Sequence, residues 1–333
     1  MLFLKAGLSN KFLSLSISNI YKMNLIIMIP AYNEENNIGK VIKEIKDNIK
    51  NAKILVIDDG STDRTVDIAK KLRADYIISN KKNMGLAYSF KRGLEEALML
   101  GADIIVNTDA DFQYNQKEIP KLIKPIIEDK ADVVLTNRNI LSLDHMSLGK
   151  KYGNLIATYV TRLISGFDVK DAQSGFRAFS REAALRLNIL SDYTYVQETI
   201  IQAVDKKLRI LQTSCDFKKR EKSKSRLISS IFNYAKRAGL MLIRSYVRYK
   251  PLRALIITSL FPLILGFFFG LRYLYLYFSG VSSGHVQSLI LSAVLLIIGF
   301  QIIVLAFVAD TINANRRIEE EILYRIKKKE YSK

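Results

Sequence analysis

The chain has 333 residues, 49% of them hydrophobic, so it is long enough for one large core or two modest cores and is not a disordered chain. Its single cysteine, Cys215, excludes an internal disulfide and a cysteine-based zinc site. Two well-separated histidines give no support to a histidine-centred triad or metal site. The formal charge of +19 indicates an anionic partner, which could be nucleic acid, a membrane surface or a phosphorylated compound. Residues 214–253 hold twelve Lys and Arg against two acids, so a net charge of +10 lies in one short stretch.

The first 23 residues are predicted to form an N-terminal tail. Their apolar run is broken by Ser and Asn and has no convincing small-residue cleavage site, which disfavours a cleaved signal peptide. A disordered tail, a membrane-touching tail and an upstream start ahead of Met23 all remain open.

Short β-rich runs alternate with amphipathic stretches from residue 24 to about 216, which is typical of an α/β fold with a mostly parallel sheet. The expected strands are 25–29, 54–57, 76–78, 103–106 and 132–135, and the expected helices are 38–49, 63–72 and 85–100. Open parallel sheets bind ligands beyond the carboxyl ends of their strands. The loops that follow the first, second, fourth and fifth strands should therefore share one rim.

Those loops are rich in groups that could bind a ligand. Asp109 and Asp111, one residue apart after the fourth strand, could hold a divalent cation, although such pairs are also common in exposed turns. The run 58–63, Asp-Asp-Gly-Ser-Thr-Asp, could equally be a turn in which Ser61 or Thr62 caps the next helix. Asn137 and Arg138 follow the fifth strand.

The last third of the chain reads as membrane-associated. Residues 254–278 and 286–309 are each long and apolar enough to span a bilayer, and the short connection between them predicts a hairpin. Basic residues flank the hairpin and are absent from its connection, so both chain ends are expected on the cytoplasmic side. The predicted division is a tail (1–23), an α/β domain (24–225), basic amphipathic helices (226–252), the hairpin (253–310) and a charged helix (311–333). That last helix could return onto the α/β domain or onto a neighbouring subunit.

Five ordered motifs carry a resemblance to a known family. They are residues 29–35 (Ile-Pro-Ala-Tyr-Asn-Glu-Glu), 58–63 (Asp-Asp-Gly-Ser-Thr-Asp), 83–85 (Asn-Met-Gly), 109–113 (Asp-Ala-Asp-Phe-Gln) and 174–177 (Ser-Gly-Phe-Arg). Together they resemble the family 2 glycosyltransferases of the GT-A fold, and more narrowly the polyprenyl-phosphate hexosyltransferases of the dolichyl-phosphate mannose synthase type. The resemblance implies a Rossmann-like GT-A catalytic domain followed by an interfacial amphipathic helix and a two-helix transmembrane hairpin.

The resemblance also implies roles for individual residues. Nucleotide-sugar binding is expected at Pro30, Ala31, Tyr32, Asn33, Glu34, Asp58, Asp59, Gly85 and Asp109. A divalent cation, Mg²⁺ or Mn²⁺, is expected on Asp109, Asp111 and Gln113. The acceptor phosphate is expected at Arg138, Ser174, Arg177, Arg220, Ser225 and Arg226, and catalytic roles are expected for Asp111, Arg138, Arg220 and Glu198. Near the acceptor positions, Ser223 and Arg226 replace the family's usual Gly and Lys.

The implied reaction moves one hexose from a nucleotide diphosphate sugar, GDP-mannose or UDP-glucose, to polyprenyl or dolichyl phosphate with inversion. A phosphate monoester has a second pKa near about 6, so the acceptor is already ionised at neutral pH and needs arginines rather than a general base. The expected partners are the nucleotide sugar, the lipid phosphate and the bilayer, with no nucleic acid, and homo-oligomerisation stays open. Two alternatives remain: transfer to another lipid-linked or protein acceptor, and a membrane-tethered basic protein that binds nucleic acid.

Overall fold

A computed structural model describes residues 23–144, 146–190, 195–219, 244, 246–280 and 285–332. The predicted N-terminal tail, apart from its last residue, and most of the predicted amphipathic segment 226–252 lie outside these ranges. The described residues up to Lys219, together with those from Leu323 onward, belong to one compact unit, and the described part of 236–322 belongs to a second.

The first unit is built on a mostly parallel sheet, as the sequence predicts. Its strands in the described residues are β1 (Leu25–Ala31), β2 (Ala52–Asp58), β3 (Tyr76–Ser79), β4 (Ile104–Asn107), β5 (Val133–Asn137), β6 (Arg177–Ser180) and β7 (Ile210–Ser214). They lie in the order β3-β2-β1-β4-β6-β5-β7. All pairings are parallel except those of β6, which runs antiparallel to β4 and β5.

The sequence predicts five of these strands and misses β6 and β7. β6 is only four residues long and begins at Arg177, the last residue of the Ser-Gly-Phe-Arg motif, so it gives little periodic signal. β7 has no fully buried residue, so neither a continuous apolar run nor a clean alternation marks it.

Helices cover both faces of the sheet. The described helices are α1 (Ile38–Asn48), α2 (Thr65–Lys71), α3 (Leu86–Met99), α4 (Ile119–Ile127), α5 (Leu148–Ser165), α6 (Arg181–Arg186), α7 (Val196–Asp205), α8 (Pro251–Phe278) and α9 (Val286–Glu330). Within β1, Ile26 and Met28 enter one hydrophobic core while Ile27 and Ile29 enter the other. Because β1 is buried on both faces, its sequence is a continuous apolar run and does not alternate with polar residues.

The second unit contains two helices that are long and apolar enough to cross a membrane. α8 has 28 residues and α9 has 45, and only 17% of the most apolar stretch of each is buried within the protein. Glycines let the two helices pack closely, since a methyl group on Gly270 or Gly299 would lie within 2.8 Å of Ser292 or Leu263. The Ser292 hydroxyl also donates a hydrogen bond to the carbonyl of Gly266 (2.7 Å). These features describe a membrane protein.

The charged end of the chain continues α9 and packs on the α/β domain. Residues 310–330 contain neither Gly nor Pro, so no breaker separates them from the apolar part of the helix. The Tyr324 hydroxyl donates to both carboxylate oxygens of Glu182 (2.9 and 3.1 Å), and the Arg186 guanidinium lies 4.3 Å from the centre of the Tyr324 ring. Near the end, Arg181 donates to the carbonyl of Tyr331. Of the two partners left open by the sequence, the chain's own α/β domain is the one seen here.

Candidate active site

The loops after β1 and β2 are tied together at the carboxyl edge of the sheet. Asn33 has a left-handed backbone (φ 52°), which Asn tolerates better than most residues, and its amide N–H donates to Ser61 Oγ (2.9 Å). Its side-chain oxygen accepts the N–H of Thr62 (2.7 Å). Glu34 N–H donates to Thr65 Oγ1 (2.8 Å). Ser61 and Thr62 therefore bind the first loop instead of capping α2.

Asp59 binds a third loop, residues 80–85, to the loops after β1 and β2. Its buried carboxylate accepts the backbone N–H groups of Met84 and Gly85 (2.9 Å each) and the side-chain amide of Asn80 (2.8 Å). Gly60 (φ 75°) lies so close to the same loop that a Cβ would approach the Lys82 backbone to 2.6 Å. The motif Asn83-Met-Gly85 is thus held by Asp59. Sequence reasoning missed Asn80, because a lone Asn after a short strand carries no distinctive signal.

Asp58 is also buried, and its Oδ1 accepts the N–H of Ser61 (3.0 Å). The two acids of the Asp-Asp pair therefore shape the loops around the predicted nucleotide position. Of the other predicted nucleotide residues, Pro30 and Ala31 are buried in β1, and Tyr32 and Glu34 are half-buried beside Asn33.

The Asp-Ala-Asp turn follows β4, in the middle of the sheet. Asp109, Asp111 and Gln113 are all half-buried, and Phe112 between them has a left-handed backbone (φ 60°). Such a conformation in a non-glycine residue costs free energy and is often found at functional sites. Asp111 Oδ1 accepts the N–H of Gln113 (3.2 Å), and the Gln113 side-chain NH₂ donates to the Lys218 carbonyl (3.2 Å).

The oxygen atoms of this turn fit the predicted divalent cation. Carboxylate and amide oxygens are the donors that Mg²⁺ and Mn²⁺ accept. Among the described residues, no group of three or more His, Cys, Asp or Glu could hold a metal ion by itself. An ion here would therefore need further oxygens, which a diphosphate can supply.

A layer of buried groups lies against Asp109. It consists of Asn107, Tyr114, Gly175 and Tyr195 and is called here the polar floor. A methyl group on Gly175 would come within 3.0 Å of an Asp109 oxygen and 2.9 Å of the Tyr195 hydroxyl. Gly175 N–H donates to the Tyr114 hydroxyl (2.9 Å), and its carbonyl accepts the side-chain amide of Asn107 (2.7 Å). The glycine in the fifth motif thus allows the backbone to lie against the Asp109 carboxylate.

Both floor tyrosines stay protonated. Burial raises the pKa of Tyr114 and of Tyr195 well above the usual value for a phenol, and the nearby Asp109 carboxylate adds to both shifts. Tyr195 also stacks face to face on Phe90, with ring centres 3.7 Å apart. These hydroxyls therefore serve as fixed hydrogen-bonding groups rather than as acids or bases at neutral pH.

Arg138 forms a buried ion pair that the sequence does not suggest. Its Nε donates to Asp171 Oδ2 (2.7 Å) and its Nη2 to Asp171 Oδ1 (3.0 Å), and the two side chains are 8% and 0% exposed. This fork leaves the Nη1 edge of the guanidinium outside the pair. The Phe217 ring covers Arg138 at 5.1 Å. Asp171 lies three residues before Ser174, but nothing in the motif marks it as the partner of a residue in another loop.

Ser174, Arg177 and Glu198 make contacts inside the protein, whereas the sequence predicts roles for them in acceptor binding or catalysis. Arg177 is fully buried and donates to the carbonyls of Ser174 (2.8 Å), Val196 (2.5 Å) and Ala172 (3.2 Å). Burial lowers the pKa of Arg177 to about 10. Its guanidinium therefore fastens the acceptor-side loop to α7 from inside and is not presented to solvent.

Ser174 and Glu198 are likewise inside the protein. The Ser174 hydroxyl lies 2.6 Å from Thr136 Oγ1, and Glu198 accepts the backbone N–H of Leu190 (3.2 Å). Because both side chains are buried, their positions do not support direct contact with an acceptor phosphate or a sugar. The predicted acceptor residues Arg220, Ser225 and Arg226 lie outside the described residues.

The mostly parallel sheet and the loops at its carboxyl edge form a GT-A-like fold. The model of the glycosyl transferase family 2 matches residues 26–187. A UDP-N-acetylglucosamine–dolichyl-phosphate N-acetylglucosaminyltransferase of Methanococcus voltae is 37% identical over 213 residues, which cover 56% of this chain and 82% of that protein. The chain belongs to the family 2 glycosyltransferases.

A second relative and a solved structure extend the comparison. The dolichol-phosphate mannosyltransferase of Pyrococcus furiosus is 30% identical over 224 residues, or 64% of this chain and 62% of that protein. Glucosyl-3-phosphoglycerate synthase from Mycobacterium tuberculosis, crystallised with Mn²⁺, UDP and glucosyl-3-phosphoglycerate, has a similar fold. The TM-score is 0.54 at 20% identity, covering 69% of this chain and 81% of that one. At that identity the likeness supports the fold and nothing more.

Proposed function

We propose that this protein transfers a single hexose, or an N-acetylated hexosamine, from a nucleotide diphosphate sugar to polyprenyl or dolichyl phosphate. The observation that carries the proposal is the Asp109–Asp111 turn beyond β4, with the Gly175 backbone packed against the Asp109 carboxylate. The names of the two relatives support a lipid-phosphate acceptor. The apolar helices α8 and α9 support a reaction at a membrane.

The donor lies, in this proposal, across the first three loops. Asn33, Asp58 and Asp59 keep those loops in one arrangement, because each forms hydrogen bonds between or within them. Asp109, Asp111 and Gln113 would hold Mg²⁺ or Mn²⁺, which when bound offsets negative charge on the leaving diphosphate. Asp109 and Asp111 repel a bare diphosphate, so in this proposal they would hold the diphosphate end of the donor only through that ion.

The acceptor side relies on positive charge instead of a base. The bond from the sugar C1 to the diphosphate breaks while a bond from C1 to an oxygen of the lipid phosphate forms, with inversion at C1. Arg138 would hold the incoming phosphate through the edge of its guanidinium that Asp171 does not occupy. Arg220, Ser225 and Arg226 remain predicted partners of that phosphate. In this proposal Ser174, Arg177 and Glu198 stabilise the loop 171–176 and α7 from inside the protein.

The active face is proposed to be cytoplasmic, with both chain ends on that side. The basic residues before α8 and after the apolar part of α9 motivate this orientation. Protease protection in sealed vesicles of known sidedness tests it: cleavage of the tail from the cytoplasmic side supports it, and cleavage only from the opposite side contradicts it.

A donor panel tests the activity. Purified full-length protein, polyprenyl phosphate in liposomes and Mn²⁺ are incubated separately with UDP-glucose, UDP-N-acetylglucosamine and GDP-mannose. One of these donors should give a glycolipid, and Asp111→Ala should reduce its formation at least about a hundredfold by weakening stabilisation of the diphosphate. Absence of product with all donors would contradict the proposal. An active Asp111→Ala variant would remove that residue from the mechanism.

A further inference from the structure

A short segment after β7 is hydrogen-bonded to the Asp-Ala-Asp turn. It consists of residues 216–218 and is called here the post-β7 segment. Phe217 pairs with Tyr114 in an isolated antiparallel β-bridge. Lys218 N–H donates to the carbonyl of Gln113 (2.7 Å), and the Gln113 side-chain NH₂ donates back to the Lys218 carbonyl (3.2 Å). The backbone of the segment therefore has a fixed place beside this turn.

Side chains of other elements hold the two neighbours of Phe217. Before it, the Asp216 N–H donates to Glu118 Oε2 (2.8 Å). After it, the Lys218 ammonium lies 3.3 Å from Glu44 Oε1. Glu44 is on α1 and Glu118 precedes α4, so two separate elements restrain the post-β7 segment. The position of Phe217 is thus set on both sides along the chain.

The Phe217 ring contacts both Tyr114 and Arg138. Its centre is 5.3 Å from that of the Tyr114 ring, and the two planes meet at 65°. Tyr114 cannot shift easily, because it is 1% exposed and its hydroxyl accepts the Gly175 N–H (2.9 Å). The Arg138 guanidinium carbon lies over the Phe217 ring, 5.1 Å from its centre. A ring that is itself fixed therefore restrains the guanidinium.

This contact adds to the ion pair of Arg138 with Asp171. The pair occupies Nε and Nη2, two atoms in the plane of the guanidinium. It fixes the arginine within that plane, whereas a ring over the guanidinium carbon opposes tilting out of it. The Phe217 side chain also has no hydrogen-bonding group, so it does not compete with an anion for the Nη1 edge. The two contacts together define the orientation of Arg138.

We propose that Phe217 is a positioning residue for the acceptor phosphate. Its ring holds Arg138 in the orientation in which the Nη1 edge is available to that phosphate. The post-β7 segment ties this orientation to the turn predicted to hold the cation. The inference rests on the proposed function in one respect, the assignment of Arg138 to the lipid phosphate. The contact between Phe217 and Arg138 does not depend on it.

Two substitutions at Phe217 separate the ring from apolar bulk. Phe217→Leu keeps an apolar side chain but removes the aromatic face, and Phe217→Tyr restores that face. Purified full-length variants are compared in steady-state kinetics with polyprenyl phosphate in liposomes, Mn²⁺ and the active donor. In Phe217→Leu the KM for polyprenyl phosphate should rise about three- to tenfold, as expected for the loss of a cation–π contact. The KM for the donor should stay within about twofold of the wild-type value, and Phe217→Tyr should behave as the wild type.

Phe167→Leu is the matched control. Phe167 is also a half-buried phenylalanine of the α/β domain, but it packs against the hydrophobic core on the opposite face of the sheet from Phe217. The same loss of a ring there should leave the KM for polyprenyl phosphate unchanged. A similar rise in both variants would show a general loosening of the domain and would overturn the proposal. An equal rise of the donor and acceptor KM values in Phe217→Leu would overturn it as well.

A chemical readout follows Arg138 without any substrate. Phenylglyoxal modifies accessible arginine side chains, and peptide mass spectrometry reports the rate at Arg138, which is 8% exposed. Phe217→Leu should make this rate at least about threefold faster, because the lost cation–π contact frees the guanidinium. Phe217→Tyr and Phe167→Leu should keep the wild-type rate.

The two readouts distinguish the possible failures. An unchanged rate at Arg138 in Phe217→Leu would overturn the proposal. A faster rate with an unchanged KM for polyprenyl phosphate would also overturn it, because the acceptor would then not depend on the orientation of Arg138. A wild-type protein that transfers no sugar to polyprenyl phosphate would overturn the proposed function, and the acceptor role of Phe217 with it. In that case the rate at Arg138 still tests the contact itself.

Discussion

The residues around Asp109 show what the Ser-Gly-Phe-Arg motif contributes to the structure. The motif 174–177 reads as an acceptor-binding segment, yet its Ser and Arg are buried. What the motif contributes at the rim is the bare backbone of Gly175, pressed against Asp109 and the Tyr195 hydroxyl. A side chain there has to displace the carboxylate that is proposed to hold the metal.

Gly175→Ala is therefore predicted to impair metal-dependent nucleotide binding. The added methyl would lie 3.0 Å from Asp109 Oδ1, inside ordinary contact distance, so Asp109 should move away from its position. We expect donor affinity in the presence of Mn²⁺ to fall about tenfold or more by calorimetry, a loss of about 1.4 kcal/mol. Gly153→Ala is the control, since nothing lies within 4 Å of its added methyl. Equal affinities for the two variants would contradict the role of Gly175.

The pair Arg138–Asp171 supports a second prediction at this scale. Removing the charge of Asp171 leaves a buried guanidinium uncompensated, which costs about 3–5 kcal/mol in comparable cases. Asp171→Asn should thus lower stability and, by loosening Arg138, raise the KM for the lipid phosphate more than the KM for the donor. Urea denaturation and steady-state kinetics measure the two effects.

Asp168→Asn provides the comparison for this variant. Asp168 is only three residues away and also pairs with an arginine, but its side chain is 82% exposed. Such surface pairs contribute about 0–1 kcal/mol. If Asp171→Asn were as mild as Asp168→Asn, with both KM values unchanged, Arg138 would not depend on Asp171.

Among the elements, predictability follows burial. β1, β2 and β4 could be found from sequence because their residues are almost all buried and apolar. α1 was predictable because Ile38, Val41, Ile42 and Ile45 repeat on one face. β6 and β7 were missed because pairing with neighbouring strands, and not their own pattern, determines that they are strands; β6 pairs with β4 and β5, and β7 pairs with β5.

The end of α9 gives the prediction at the element scale. Tyr324 donates to Glu182 and stacks under Arg186, so it should hold the last turns on the α/β domain. A hydrogen bond to a charged group contributes about 1.5–3 kcal/mol when well formed. Tyr324→Phe should therefore accelerate amide hydrogen exchange in residues 323–332 about tenfold, and Tyr324→Ala more than that.

Ile326→Ala is the control for this measurement, since Ile326 is 55% exposed on the same turns. It should leave exchange in residues 323–332 nearly unchanged. Comparable acceleration in Ile326→Ala and Tyr324→Phe would show that the contact with Glu182 does not hold the tail.

At the scale of the whole molecule, the sequence predicted the architecture better than the site. The order of motifs and the two apolar spans were sufficient for the fold class and the family. The roles of Asp171, Asn80 and Gly175 depend on contacts between distant loops, which no local pattern encodes. The same holds for Arg177, because an Arg beside a glycine looks identical in sequence whether it is buried or exposed.

The absence of a general base from the proposed reaction predicts a simple pH dependence. The only ionisation that should limit the rate near neutrality is the second one of the acceptor phosphate, with a pKa near about 6. Product formation should rise with pH up to about 6 and then stay level to about 8. An acceptor phosphonate, whose second pKa is higher, should shift the rising limb upward. A rising limb that is the same for both acceptors would point to a protein base.

In the proposed reaction the sugar is transferred to a lipid phosphate. The most direct measurement offers the purified protein its active donor with three acceptors of equal chain length: polyprenyl phosphate, polyprenyl diphosphate and polyprenol. Mass spectrometry and NMR of the lipid products then define the linkage. We expect one product, a single sugar joined to polyprenyl phosphate with the configuration at C1 inverted. A sugar on polyprenol or on the diphosphate, and none on the monophosphate, would contradict it.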